Sequence, residues 1–115
     1  MTQDELYSLL KSIGLDVSIA HGEHKTFEKP PYIAYAVDRA RTWGSDNKNE
    51  FKETTYWVDL YTAVKDVELQ ARLEKLFDDR GINYDQMEGV IAEKRLYRVL
   101  YILKTVTRIR RDKDD

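Results

Sequence analysis

Cysteine is absent from the 115 residues. This excludes a disulfide framework, a thiolate nucleophile and any zinc or iron–sulfur site built on thiolates. Histidine occurs twice, at His21 and His24, with Glu23 between them. Imidazole and carboxylate are both metal ligands, but the spacing matches no known zinc pattern and no third His or Cys exists elsewhere. A polar loop after a strand accounts for the same residues. The chain has only two prolines, and they are adjacent, at Pro30-Pro31. No apolar run approaches the about 18–20 residues that a membrane-spanning helix needs. The opening Met-Thr-Gln-Asp-Glu lacks the basic and apolar regions of a signal peptide. The chain therefore reads as soluble and cytoplasmic, with no membrane partner.

A dominant charge is missing too. Lys and Arg number 19 against 21 Asp and Glu, a net charge of −2, so no global field draws nucleic acid to the chain. Catalytic signatures are equally scarce. There is no G-x-G-x-x-G, P-loop, H-E-x-x-H or nucleophile elbow, and Ser8, Ser12, Ser18 and Ser45 have no base and acid in evident order around them. The reading is of a protein that is not an enzyme and carries no cofactor.

Tyrosine is abundant, with eight copies against three phenylalanines. Its ring suits strands, and its polar end also suits a surface that meets a partner. The stretch Glu53 to Lys65 organises the rest. Its Thr, Tyr, Trp and Val content predicts a strand, with Tyr56, Val58 and Leu60 on one face and Trp57, Asp59 and Tyr61 on the other. Two useful faces place it inside its sheet.

Around it, Thr2 to Ile13 reads as a helix. Thr2 and Glu5 have the spacing of a capping box, Leu6, Leu9, Leu10 and Ile13 form one stripe, and Gly14 closes it. Leu15 to Ala20 is a short extended piece. Tyr32 to Asp38 is a strand whose small Ala34 and Ala36 leave room for something bulky, with a helix of this chain as the expected occupant. Arg39 to Lys52 reads as a long polar loop. In it Trp43 either makes a contact site with Arg39, Arg41 and Lys48 or folds back on the sheet edge. Asp66 caps a second helix with Leu69, Leu73, Leu76 and Phe77 as its stripe and Glu68–Arg72 as an exposed pair, ended by Gly81. Ile82 to Ala92 is a strand with an irregularity expected at Gly89, and Leu96 to Val106 is the longest strand. Two hairpins, a short strand and two helices make one α+β domain over residues 1–106: a two-layer sandwich with a mainly antiparallel sheet of four to five strands and both helices on one face. Residues 107–115 are expected to be a flexible charged tail.

The linear order carries a resemblance. Pro30-Pro31-Tyr32-Ile33-Ala34-Tyr35 is followed by Ser45-Asp46-Asn47, then by Tyr56-Trp57-Val58-Asp59-Leu60-Tyr61-Thr62, a charged helix, Gly81-Ile82-Asn83-Tyr84 and a Tyr-rich last strand. From about Leu6 to Leu103 this resembles the small tail-terminator or tail-completion proteins of long-tailed bacteriophages and prophages, a group also described as minor capsid or head–tail joining proteins. The resemblance implies a structural subunit that forms a homo-oligomeric ring, typically of six copies, on the head-proximal end of the tail tube. Its subunits either form the ring alone or wait as monomers for a tube end. Its partners would be itself, the tail tube protein and a head-completion or connector protein, with no specific nucleic acid. Its place would be the host bacterial cytoplasm during assembly and then the virion, at the head–tail junction. On that reading Trp57, Tyr61 and Tyr101 lie at or near a subunit interface. The 39–52 loop, with Trp43, Asp46 and Asn47, contacts the tube or projects toward the ring lumen. The alternative is a small nucleic-acid-binding module, with bases stacked on an aromatic sheet face and Arg39, Arg41, Lys48, Arg108, Arg110 and Arg111 on phosphates.

Overall fold

The central strand of the sheet is the Thr/Tyr/Trp-rich segment, and its two faces have different fates. In the computed structural model, which describes residues 1–14, 16–22, 29–44 and 48–109, the elements run α1 (Gln3–Lys11), β1 (Ser18–His21), β2 (Tyr32–Trp43), β3 (Phe51–Thr62), α2 (Val67–Asp79), β4 (Tyr84–Ile91), a 3-10 turn (Ala92–Lys94) and β5 (Leu96–Arg108). The five strands lie in the order β1-β2-β3-β5-β4. Every pairing is antiparallel except β1 with β2. This is the expected α+β architecture, with both helices on one sheet face.

Local chemistry sets the helix ends. Thr2 accepts from the Glu5 N–H while Glu5 accepts from the Thr2 N–H at 2.7 Å, a complete capping box. Asp66 accepts from the Leu69 N–H at 3.0 Å. Gly81, at φ 66, follows α2, the Ile82 N–H reaches the Phe77 carbonyl and the Gly81 N–H reaches that of Asp78. That is the Schellman pattern, and its positive φ favours a residue without Cβ.

Alternation then sorts the sheet. Ile33, Tyr35, Tyr56, Val58, Leu60, Val99, Tyr101 and Leu103 point to the side on which Leu6, Leu9, Leu10 and Ile13 of the α1 segment and Leu69, Leu73 and Phe77 of α2 lie, and together they form one core. The face carrying Ala34 and Ala36 is not the helix-covered one. Among the described residues no helix occupies it, because both apolar helix stripes match the fully apolar Ile33/Val58/Leu60 face and not one that bears Asp59.

Four further expectations are corrected by the structure. Half of the expected 39–52 loop is strand: β2 continues to Trp43 and β3 begins at Phe51, paired from Arg39↔Thr55 to Trp43↔Phe51. The segment reads as polar because it is exposed, so no apolar alternation marks it. The irregularity falls between Val37 and Arg39, where the register shifts, and not at Gly89, which pairs in register with Arg98. The 106/107 boundary lies inside β5. Thr107 pairs with Lys52, Arg108 with Phe51, and the Ile109 N–H reaches the Glu50 carbonyl at 2.7 Å. Residues 110–115 lie outside those described. Finally, Arg72 does not pair with Glu68. It donates to the Ile13 carbonyl and lies 3.5 Å from Asp16, tying α2 to the end of α1.

The molecule is 56 Å long and 26 by 22 Å across. Its length comes from β2, β3 and β5, which run on together past the helices as a three-stranded arm.

Candidate functional site

β3 alternation places Phe51, Glu53, Thr55, Trp57, Asp59 and Tyr61 on the face away from the helices. On β2 the same face begins with Tyr32, Ala34 and Ala36, which pair with Tyr61, Asp59 and Trp57. One extra residue at the bulge then changes the parity, so Arg39, Arg41 and Trp43 join this face and not the helix side. From β5, Arg98, Leu100 and Ile102 complete it opposite Tyr61, Asp59 and Trp57. No described helix or strand lies over this open face.

Near its base the small side chains leave an open cavity of about 420 Å3. Ala34 and Ala36 form the floor. Tyr32 and Tyr61, stacked with centroids 4.8 Å apart and planes at 22°, form one wall, and Trp57, Ile91 and Lys94 complete the rim. Asp59 and Arg98 also line it, with Arg98 Nε donating to Asp59 Oδ1 at 2.7 Å. Asp59 is only 8% exposed. Burial pushes its carboxyl above the usual range even though the guanidinium pulls the other way, and the same hydrogen bond raises Arg98. Desolvation decides the direction at Asp59, because its partner is itself more than one-third exposed and shares its charge with water.

The arm forms the other end of the face. Trp43 stacks on Phe51 at 5.6 Å and 25°, with the Arg41 guanidinium 5.8 Å from the Trp43 ring and 3.3 Å from Glu53. The Glu50 N–H closes the arm tip onto the Trp43 carbonyl at 2.9 Å. Gly44 is required there, since a Cβ would stand 2.0 Å from the Lys48 carbonyl oxygen.

Of the six residues expected to make contacts, Trp57 and Tyr61 meet at the cavity. Trp43 lies about 20 Å farther along the same face, six strand residues away. It neither hangs in solvent nor folds over the sheet edge, but stacks across the β2–β3 pair. Asp46 and Asn47 lie outside the described residues. Tyr101 is on the other side of the sheet, 0% exposed, its hydroxyl donating to Glu74 Oε2 at 2.7 Å. It opposes Val58 across the β3–β5 pair, so it is a core residue and presents no surface to a neighbour. Arg98 was not anticipated. Its sequence signal is weak, because only the adjacency of β3 and β5 brings it to Asp59. His21 ends β1 with its ring 5.3 Å from Tyr35, while Glu23 and His24 lie outside the described residues. Among the described residues no three His, Asp or Glu side chains are grouped to hold a metal ion. No described helix is long and apolar enough to cross a membrane.

No protein-family model and no curated protein matches this chain. The functional reading therefore rests on the geometry of the face and on the residue pattern already described. Chemically, the face offers aromatic area, an Asp59–Arg98 pair held in a hollow, and cations on a projecting arm. Such a surface suits adhesion to another macromolecule, with apolar contact supplied at the cavity and orientation supplied by charge.

Proposed function

We propose that this chain is a structural subunit that assembles with copies of itself, a tail-terminator or tail-completion protein of a long-tailed phage or prophage. Its ring caps the tail tube and meets the head connector. It is made in the host cytoplasm and ends in the virion. The observation that carries this reading is the open sheet face continuous with a three-stranded arm. A ring requires two different, mutually complementary patches on each copy. A cavity-bearing face at one end and an aromatic, cationic arm at the other are two such patches. Trp43, Trp57 and Tyr61, the contact residues expected from the resemblance that lie among the described residues and on the surface, fall on this one face.

The test is solution mass by light scattering over a tenfold concentration series of the purified chain. The expected result is a species near six times 13.6 kDa. A strict monomer at every concentration overturns ring formation by the chain alone and leaves assembly on a tube end as the form of the reading.

The same face favours a second reading. Arg39, Arg41, Lys104 and Arg108 lie beside Trp43, Phe51 and Trp57 on it, the combination of cations and stacking surfaces that single-stranded nucleic acid uses. Titration of a labelled single-stranded oligonucleotide at low and high salt separates the two. Tight, steeply salt-dependent binding by a monomer favours the nucleic-acid module, and its absence at low salt removes it.

A further inference from the structure

β4 ends the sheet. Its inner edge pairs with β5 over its whole length, from Tyr84↔Leu103 to Ile91↔Leu96, without a register shift. Among the described residues no strand pairs with its outer edge. Proteins guard such edges with lysine, proline, a bulge or a covering segment, because the outward N–H and C=O groups are a template for another strand. β4, Tyr-Asp-Gln-Met-Glu-Gly-Val-Ile, has no lysine, proline or bulge. Its Met87 and Val90, on opposite faces, are 57% and 70% exposed. Its charges are two carboxylates, Asp85 and Glu88.

A second edge lies at the opposite end of the sheet order. β1 covers β2 only from Tyr32 to Tyr35. Beyond that, among the described residues, no strand flanks the outer side of β2. Its distal part, Arg39–Trp43, carries two arginines and no carboxylate. Glu88 is bound within the chain by Lys65 and Arg41 by Glu53. Asp85 and Arg39 have no ion-pair partner among the described residues. Both point to the open face, Asp85 opposite Ile102 and Arg39 opposite Thr55.

We propose that β4 of one copy pairs edge to edge with the distal part of β2 of the next copy, placing Asp85 among Arg39 and Arg41 and carrying one sheet from subunit to subunit. This rests on the self-assembling reading and adds to its face contacts a joint at the strand edges. The occupant is a second copy because each chain holds both halves of the match, an acidic unguarded strand and a basic one. The contact is heterologous, since the two edges are different, and it closes as a ring or runs on as a filament. Within a chain β4 runs opposite to β2, so copies related by rotation about an axis tilted from the strands by less than a right angle meet in antiparallel pairing. β4 begins level with Leu103, hence with Tyr56 and Val37, and extends away from the arm. The neighbour is therefore staggered along the strand direction, the offset that closing a tilted sheet requires.

The chain's lack of cysteine makes the test direct. The full chain is compared with Asp85→Arg, with Arg39→Asp/Arg41→Asp, and with the triple charge exchange, by light scattering, with circular dichroism to confirm each fold. The first two variants place like charges across the joint and are expected to weaken association about tenfold or more, and the triple variant to restore it. In parallel, a chain carrying Asp85→Cys and Arg41→Cys is expected to form a ladder of disulfide-linked multimers on oxidation, which either single cysteine does not. A wild-type multimer whose mass survives both reversals, and which yields no ladder, overturns strand pairing while leaving self-assembly standing. A wild-type chain that is monomeric throughout overturns self-assembly of the free chain and the joint that rests on it.

Discussion

Tyr101 is the residue at which core and interface readings part, and its replacement tests the core directly. Its ring is wholly buried and edge-on to Phe77 at 5.6 Å and to Tyr84 at 5.4 Å, while its hydroxyl holds Glu74. Tyr101→Phe removes the hydroxyl and keeps the ring. A hydrogen bond to a charged group contributes about 1.5–3 kcal/mol, but Glu74 is partly exposed and regains water when its partner leaves. The expected loss is therefore toward the lower end, about 1.5 kcal/mol. Tyr101→Ala also empties the ring's place between α2 and the sheet, and the expected loss is about 3–5 kcal/mol. Urea unfolding of the three chains measures both, as midpoint shifts at constant slope.

The alkaline limb supplies an independent check. Burial and Glu74 together push the Tyr101 phenol well above its ordinary value of 10.0. The folded state thus keeps this proton where the unfolded state releases it. The contribution is intact below pH 10 and is lost as pH rises beyond 10. Phenylalanine has no proton to lose, so the deficit of Tyr101→Phe should shrink above pH 10. Part of the loss persists in both chains, because burial also raises Tyr35, Tyr56 and Tyr84. Self-association should be unchanged in Tyr101→Phe. A Tyr101→Ala penalty below about 1 kcal/mol, or loss of association with stability intact, refutes the placement of Tyr101 in the core.

Trp57→Ser should do the reverse, lowering the mass seen by light scattering while shifting the urea midpoint only slightly, because Trp57 is 41% exposed on the open face. Asp66→Ala removes the cap on α2 and should cost about 1 kcal/mol by the same unfolding assay, with association unaffected. Asp59→Asn should be no less stable than the wild type at pH 7. The folded protein holds the Asp59 proton more tightly than the unfolded chain, so this residue's ionisation weakens the fold as pH rises above 3.8. The variant's advantage should accordingly shrink as pH falls toward that value. A loss above about 2 kcal/mol at pH 7 would show that the Arg98 ion pair outweighs the burial.

What could be read from the chain was local. The caps at Thr2 and Asp66 and the stop at Gly81 depend on residues within one turn. The two faces of β3 follow from alternation between apolar and polar side chains, which also put Trp57 and Tyr61 together on the face that holds the cavity. β5 resisted the same method because both of its faces are apolar through Leu103. Only its register against β3, with Tyr101 opposite Val58, decides which face meets the helices. The arm was missed for the opposite reason. Arg39 to Trp43 is exposed throughout, so its sequence carries no burial signal, and its strand character comes from partners eight to sixteen positions away along the chain. Asp59–Arg98 joins residues 39 positions apart and required the strand order itself.

The bulge beside Asp38 connects these facts. Unbroken alternation from Tyr32, Ala34 and Ala36 would carry Ala40 and Thr42 onto the open face and turn Arg39, Arg41 and Trp43 toward the helix side. There they would lie beyond the reach of α1 and α2, with no core to enter. The single extra residue moves them to the face of Trp57 and the cavity, and it does so where β2 leaves the helices and becomes the arm. The Trp43–Phe51 stack and the Arg41–Glu53 pair both depend on that shift, since Phe51 and Glu53 lie on the open face of an unbulged β3. One residue thus converts a chemically mixed stretch into an arm with one cationic, aromatic side. That side also places Arg39 where a neighbouring copy's Asp85 can meet it.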